Sequence, residues 1–194
     1  MKRKIRFIDC GANIGQSIDW ARKVFENDNL KIDSFEPLPK NIEVLRENYS
    51  NSESLTIHEA AASKSDGEAT FYCQNWGART GSSLVAGKTS TSFEDVCNVK
   101  TIDLAKWIKE NILEDEIVVL KIDIEGAEYD VLPHLFDNKI QDLVDYWLVE
   151  FHGNKSSNCN KEVEVITKNT VKVLADWAVL SKAETALKES GLIG

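Results

Sequence analysis

The chain has 194 residues, with 23 Lys and Arg against 32 Asp and Glu, a formal net charge of −9. Apolar residues at 42% and charged residues at 28% are the balance of an ordinary globular protein, and ten glycines with three prolines exclude collagen-like and low-complexity architectures. Affinity for nucleic acid rests on Lys and Arg set against phosphates; the one basic cluster, Lys2-Arg3-Lys4, runs into a predicted strand, so no nucleic-acid partner is expected. The apolar stretch behind that cluster stops at Asp9, too short for a signal peptide, and no run approaches the roughly 20 apolar residues of a membrane span. Cys10, Cys73, Cys97 and Cys159 have no paired spacing, so free thiols in a reducing, cytoplasmic setting are expected.

Short apolar runs alternate with amphipathic stretches. Ile5–Asp9 reads as a strand, Gly11 to Gly15 as a turn and Ser17–Glu26 as a helix with Ile18, Ala21 and Phe25 on one face. Lys31–Glu36 is a second strand, and Pro37 and Pro39 open a helix over Lys40–Tyr49. Leu55–Ala61 reads as a third strand, Ser65-Asp66-Gly67 as a turn and Ala69–Cys73 as a short extended piece. Gln74 to Asp95 is rich in Gly, Ser and Thr without a period, which predicts a long loop of the kind that usually carries function. Val99–Thr101 is a brief strand, and Ile102–Lys109 a helix. Ile117–Asp123 is a β-branched run of the type buried on both faces, followed by a helix at Ala127–Phe136 and a buried strand at Asp145–Phe151. A polar loop from His152 to Asn160, a helix over Lys161–Ala175 and a late strand at Trp177–Leu180 complete the pattern. Strands alternating with helices predict an α/β chain with a mostly parallel sheet covered on both faces.

The stretch Phe7-Ile-Asp-Cys-Gly-Ala-Asn-Ile-Gly-Gln-Ser17 is a strand, an acid at its end, a glycine turn and a helix. In open α/β sheets ligands sit beyond the carboxyl ends of the strands, so this turn is the expected site. A dinucleotide fingerprint needs glycine where Asn13 stands, and a phosphate-binding P-loop needs a Lys after Gly15, which is absent. A carboxylate at Asp9 at the mouth of the turn would repel pyrophosphate and welcome an ammonium or sulfonium. Glu36, at the end of the second strand, is placed to accept both hydroxyls of a ribose. The two acids together suggest an adenosyl ligand without phosphates, and S-adenosylmethionine fits. The bland alternative is that Gly11 and Gly15 are turn glycines and Glu36 a solvated strand end.

Five segments carry a resemblance to a known family: Phe-Ile-Asp-Cys-Gly-Ala-Asn-Ile-Gly (7–15), Phe-Glu-Pro (35–37), residues 61–68, Val-Val-Leu-Lys-Ile-Asp-Ile-Glu-Gly-Ala-Glu (118–128) and Leu-Val-Glu-Phe-His-Gly (148–153). Together they resemble the FkbM family of S-adenosylmethionine-dependent methyltransferases. The resemblance implies a Rossmann-like methyltransferase fold with a seven-stranded-type sheet, formed as one domain over 1–194. It implies methyl transfer to an oxygen, most often a sugar or polyketide hydroxyl, with an amide nitrogen as the alternative acceptor. Carried over by motif, Asp9, Gly11, Ala12, Asn13, Gly15 and Ser17 line the methionine end of S-adenosylmethionine, and Glu36 and Pro37 hold its ribose. Ala61 and Ala62 lie near its adenine, and Asp123, Glu125 and Gly126 face the methyl group. Gly81-Ser-Ser-Leu84 is similar to a family segment close to the cofactor, which adds Ser83. After His152 the family pattern fades, so 153–194 is expected to diverge, and no cap for acceptor selection is expected ahead of the first strand.

A sugar hydroxyl needs a base or a metal to remove its proton. Asp123 ends one buried strand, and Glu150 and His152 end the next, so the three are expected as neighbours and as catalytic residues. They would serve as general base or as ligands to Mg²⁺ or Mn²⁺. Lys121, in register with Asp123, reads as a buried ion-pair partner. In the loop over 74–95, Trp76 would stack on a sugar ring and Arg79 would bond its hydroxyls. A non-catalytic adenosyl-binding module and an NAD-type oxidoreductase are the readings from other classes; Asn13 disfavours the second.

Overall fold

The computed structural model describes residues 3–25, 29–74, 81–86, 91–153, 160–171 and 174–194. Its elements are β1 (Lys4–Cys10), α1 (Gln16–Val24), β2 (Asn29–Phe35), α2 (Pro39–Tyr49), β3 (Leu55–His58), β4 (Ala61–Ser63), β5 (Gly67–Gln74), β6 (Thr91–Asp103), α3 (Leu104–Asn111), β7 (Glu116–Ile122), α4 (Glu128–Asp137), β8 (Tyr146–Val149), α5 (Lys161–Thr170), β9 (Leu174–Asp176) and α6 (Leu180–Glu189).

Six strands form one parallel sheet in the order β3-β2-β1-β7-β8-β9. The order reverses between β1 and β7, which leaves a crevice at the carboxyl ends of those strands. This is the Rossmann-like methyltransferase fold. Alternation along the strands loads both faces of the sheet. Ile5 and Phe7 of β1 with Val119 of β7 pack against Ile18, Trp20 and Ala21 of α1, Leu45 of α2 and Ala183 and Leu187 of α6. Ile8, Val118, Leu120 and Ile122 point the other way, onto Leu104 and Ile108 of α3, Leu132 and Leu135 of α4 and Val163 of α5. The β-branched run over 117–123 is therefore buried on both faces, as its composition requires.

Several expected boundaries are corrected. The single strand expected over Leu55–Ala61 is two: β3 pairs with β2, the chain turns at Ala60, whose N–H bonds the His58 carbonyl at 2.9 Å, and β4 pairs with β6 in a second, three-stranded sheet ordered β4-β6-β5. The short pieces expected near residues 69 and 99 are the centres of long strands. Antiparallel pairing of β5 with β6 extends both into the expected loop over 74–95, so β6 begins at Thr91. Helix α3 starts two residues later than expected because Asp103 caps it, its carboxylate accepting the Lys106 N–H at 3.1 Å. The helix expected through Ala175 ends at Thr170, since residues 174–176 pair with β8 as β9, and residues from Leu180 form α6 in place of the late strand expected at Trp177–Leu180. The main sheet holds six strands among the described residues, not the seven expected.

Candidate active site

The turn after β1 is shaped by contacts with both flanking strands. The N–H groups of Gly11 and Ala12 both donate to the Phe35 carbonyl at 3.1 Å. Gly11, at φ +89, passes so close to the Asp123 carbonyl that a Cβ would overlap it. Gly15, at φ +104, caps α1, and a Cβ there would strike the Tyr49 ring of α2. Asn13 is left-handed at φ +50, a conformation Asn tolerates better than most residues, and its N–H donates to Glu36 Oε2 at 2.8 Å. The amide that a dinucleotide site would turn to phosphate is thus spent on a carboxylate.

Glu36 is almost fully buried at the end of β2. Its Oε1 accepts from Leu38 N–H at 3.0 Å and Asn41 Nδ2 at 3.2 Å. Burial pushes its carboxyl up to about 7, against the downward pull of the Leu38, Asn13 and Asn41 donors.

A second strained loop follows β7. Glu125 at φ +58 and Gly126 at φ +109 are both left-handed. Of the three non-glycine residues with positive φ among the described residues, Asn13 and Glu125 lie in these two loops, a concentration of strain typical of binding sites. Ser83 ties the loop down: its Oγ donates to the Glu125 carbonyl at 2.8 Å and accepts from Val85 N–H at 3.0 Å.

Between the two loops lies a cleft lined by Gly11, Asn13, Glu36, Pro37, Ala61, Asp123 and Glu125, seven of the expected cofactor residues. Ala62, also placed near the adenine, lines it too. The remaining expected residues sit behind the lining. Asp9 is fully buried: Lys121 Nζ approaches its Oδ1 at 3.0 Å, and Ser17 Oγ donates to its Oδ2 at 2.6 Å. The expectation that Asp9 meets a bound cation directly is corrected, because Lys121 already holds that place and also bonds the Gly11 carbonyl at 2.9 Å. Ser17 is occupied by Asp9, Ser83 by Glu125, and Ala12, Gly15 and Gly126 shape backbone. Trp76 and Arg79 lie outside the described residues.

Sequence reasoning missed Leu38 and Phe71 in the apolar wall of the cleft, and the amide of Asn41. Phe71 arrives on β5 of the second sheet, and Leu84 joins the wall just after the isolated bridge from Ser83 to Tyr72 of that strand. Asn41 was legible in principle, since Pro39 starts α2 and the first turn of that helix must lie back over Glu36.

At one end of the cleft four carboxylates gather around one imidazole. His152 is 2% exposed. Its Nδ1 meets Glu128 Oε1 at 3.0 Å, and its Nε2 lies 3.3 Å from Glu150 Oε1, 3.5 Å from Glu125 Oε2 and 3.8 Å from Asp123 Oδ1. Asp123 also lies 3.5 Å from Lys121 Nζ. Asp123, Glu150 and His152 are therefore brought together as expected, with Glu125 and Glu128 added. Burial opposes charge on His152, but the Glu128 and Glu150 hydrogen bonds and the field of Asp123 outweigh it and push the imidazole up to about 9. Burial also raises the Asp123 carboxyl, with Lys121 pulling it down and Glu150 pushing it up. The upward shift of His152 favours the charged imidazole at neutral pH and argues against the role of general base expected for it. One ligand atom each from Asp123, Glu125 and His152 lie within 4.8 Å of one another, a spacing open to a metal ion; Glu125 replaces the expected Glu150 in that set.

No helix among the described residues is long and apolar enough to cross a membrane. A comparison with curated proteins finds no match. One solved structure, the crystal structure of methyltransferase FkbM from Methylobacillus flagellatus KT, is similar at 14% identity with a TM-score of 0.47; the likeness covers 97% of this chain and 38% of that one, so this chain spans well under half of that neighbour's length. The family model described as the methyltransferase FkbM domain matches residues 9–173, a span that runs past His152 and through α5. The chain belongs to the FkbM methyltransferase family.

Proposed function

We propose that this methyltransferase takes its methyl group from S-adenosylmethionine and delivers it to a hydroxyl of a sugar, glycan or related small molecule. The observation that carries the reading is one cleft with three chemically distinct parts: an apolar wall of Leu38, Ala61, Phe71 and Leu84, the Glu36 carboxylate, and the carboxylate cluster at Asp123. An adenine suits the first, ribose hydroxyls the second and a sulfonium the third. Among the described residues Asp9, Asp123, Glu125 and Glu150 gather around Lys121 and His152. A site so rich in carboxylates suits a cation.

When bound, S-adenosylmethionine supplies the activated methyl group. The protein supplies orientation and a proton acceptor. With His152 protonated, the acceptor is a carboxylate, Asp123 or Glu150, and Lys121 and His152 flank Asp123 at 3.5 and 3.8 Å. Asp123, Glu125 and His152 would also hold Mg²⁺ or Mn²⁺, whose chemistry there would be to make a bound hydroxyl more acidic.

The test is calorimetric titration with S-adenosylhomocysteine, followed by label transfer from S-adenosylmethionine to a panel of sugar hydroxyl acceptors with and without EDTA. Binding with transfer to a hydroxyl is expected. NADH binding in place of S-adenosylhomocysteine, or transfer only to amides, would overturn the reading; binding with no transfer to any acceptor would favour a non-catalytic module. Activity unchanged by EDTA removes the metal.

Glu36 gives a sharper prediction. Only its ionised form accepts both ribose hydroxyls. With a carboxyl at about 7 in the free protein, the ionised fraction rises from roughly one tenth at pH 6 to nine tenths at pH 8. The affinity for S-adenosylhomocysteine is expected to tighten about tenfold over that range, with protons released on binding. Glu36→Gln should flatten the profile and weaken binding by roughly 10- to 100-fold, since a charged acceptor contributes about 1.5–3 kcal/mol. Titration in two buffers of different ionisation enthalpy measures both.

A further inference from the structure

The carboxylate cluster is held together by a residue that touches none of the cleft. Glu128, in the first turn of α4, is fully buried. Its Oε2 accepts the Gly126 N–H at 2.8 Å. Its Oε1 accepts the His152 N–H at 2.7 Å and meets the His152 Nδ1 at 3.0 Å. One side chain therefore grips the loop after β7, the backbone beyond β8 and the imidazole of His152.

We propose that Glu128 is the positioning residue of this active site: it clamps the Nδ1 side of His152 so that Nε2 stands against Asp123, Glu125 and Glu150, and it locks together the two loops that carry those carboxylates. The proposal rests on the reading of this cluster as the place of methyl transfer.

The backbone bonds alone would make Glu128 a loop staple. The third contact goes further, because a ring held by one nitrogen through a carboxylate has its orientation and its proton position set together. With Nδ1 taken, Nε2 is the atom presented to the cluster, at 3.3, 3.5 and 3.8 Å from three different carboxylates. Those three acids stand on two loops: Asp123 and Glu125 after β7, Glu125 in the left-handed part of that loop, and Glu150 after β8. Repulsion among them would spread the loops unless something draws them to a common centre. His152 is that centre, and Glu128 holds it there.

The test uses the full chain labelled with ¹⁵N-histidine, with His152→Gln used to assign the His152 signals. In the wild type, long-range ¹H–¹⁵N spectra are expected to show an Nδ1–H proton protected from solvent exchange. In Glu128→Gln that proton should lose its protection and its downfield shift, while the Kd for S-adenosylhomocysteine stays within about threefold. On a hydroxyl acceptor found by the label-transfer screen, kcat should fall about a hundredfold, and Glu128→Gln added to His152→Gln should cost little more, as expected of two residues acting as one unit. An unchanged imidazole spectrum in Glu128→Gln, or kcat losses that simply add, would overturn the proposal and leave a loop staple. If Glu128→Gln fails to fold, the wild-type spectrum decides, because an Nδ1 without a protected proton excludes the clamp. A wild type that binds no S-adenosylhomocysteine counts against the functional reading, while the imidazole spectrum still decides the clamp.

Discussion

Gly11→Ala is expected to destabilise the protein by more than about 4 kcal/mol and to abolish binding of S-adenosylhomocysteine. The residue is left-handed at φ +89, which costs an L-residue roughly 1–2 kcal/mol. The larger part is steric. The new Cβ would overlap the Asp123 carbonyl, and that carbonyl is not free to yield. The Asp123 N–H is bonded to the Cys10 carbonyl at 3.1 Å, and β1 and β7 run in unbroken register from Lys4 and Glu116 to Cys10 and Ile122. Relief requires prising the two central strands apart at the point where the cleft opens. Thermal melting should show a fall of roughly 10 °C or more, or insoluble protein. A variant within about 1 kcal/mol of wild type would mean that the turn can move away from Asp123 and that the close approach is not needed.

Lys121→Met is expected to cost about 3–5 kcal/mol, the range for removing one partner of a buried ion pair. Lys121 is almost completely buried, and its Nζ serves Asp9 at 3.0 Å, Asp123 at 3.5 Å and the Gly11 carbonyl at 2.9 Å. Burial works against its charge, but the Asp9 and Asp123 carboxylates more than compensate and its ammonium is held above the usual lysine range. Methionine keeps most of the stem packing and loses the ammonium together with its place over the Trp177 ring, so the loss reports the charge. Asp9 would then be a buried carboxylate stripped of its Lys121 partner. Adding Asp9→Asn should recover much of the loss. Urea unfolding of the single and double variants measures this, and a double variant no more stable than Lys121→Met would rule out the stranded carboxylate.

Gly11, and the Asp9 carboxylate that Lys121 pairs with, are residues that a linear reading places at the ligand. Asp9 and Gly11 belong to the turn by sequence, and the motif is correct about where the turn lies. Their work is structural: Gly11 admits the Asp123 backbone, and Asp9 neutralises Lys121. Placing a carboxylate at the strand end identifies the neighbourhood of the ligand. Whether that carboxylate meets the ligand depends on which cation the adjacent strand delivers.

Periodicity and punctuation determined the βαβ alternation, because a strand buried on both faces and a helix with one apolar stripe leave different spacings in the chain. They also determined the glycine turn, the acid at the end of β2 and the meeting of Asp123 with Glu150 and His152, since parallel neighbours must end side by side. Only the tertiary structure decided the second sheet, where the pairing of β5 with β6 supplies the stability that a Ser- and Thr-rich stretch lacks on its own. Only it decided β9, whose three residues gain their strand form from β8. The protonation of His152 and the grip of Glu128 on it are tertiary as well. Charge in a buried cluster depends on distances of 3 to 4 Å between residues far apart in the chain, and no local pattern encodes those distances.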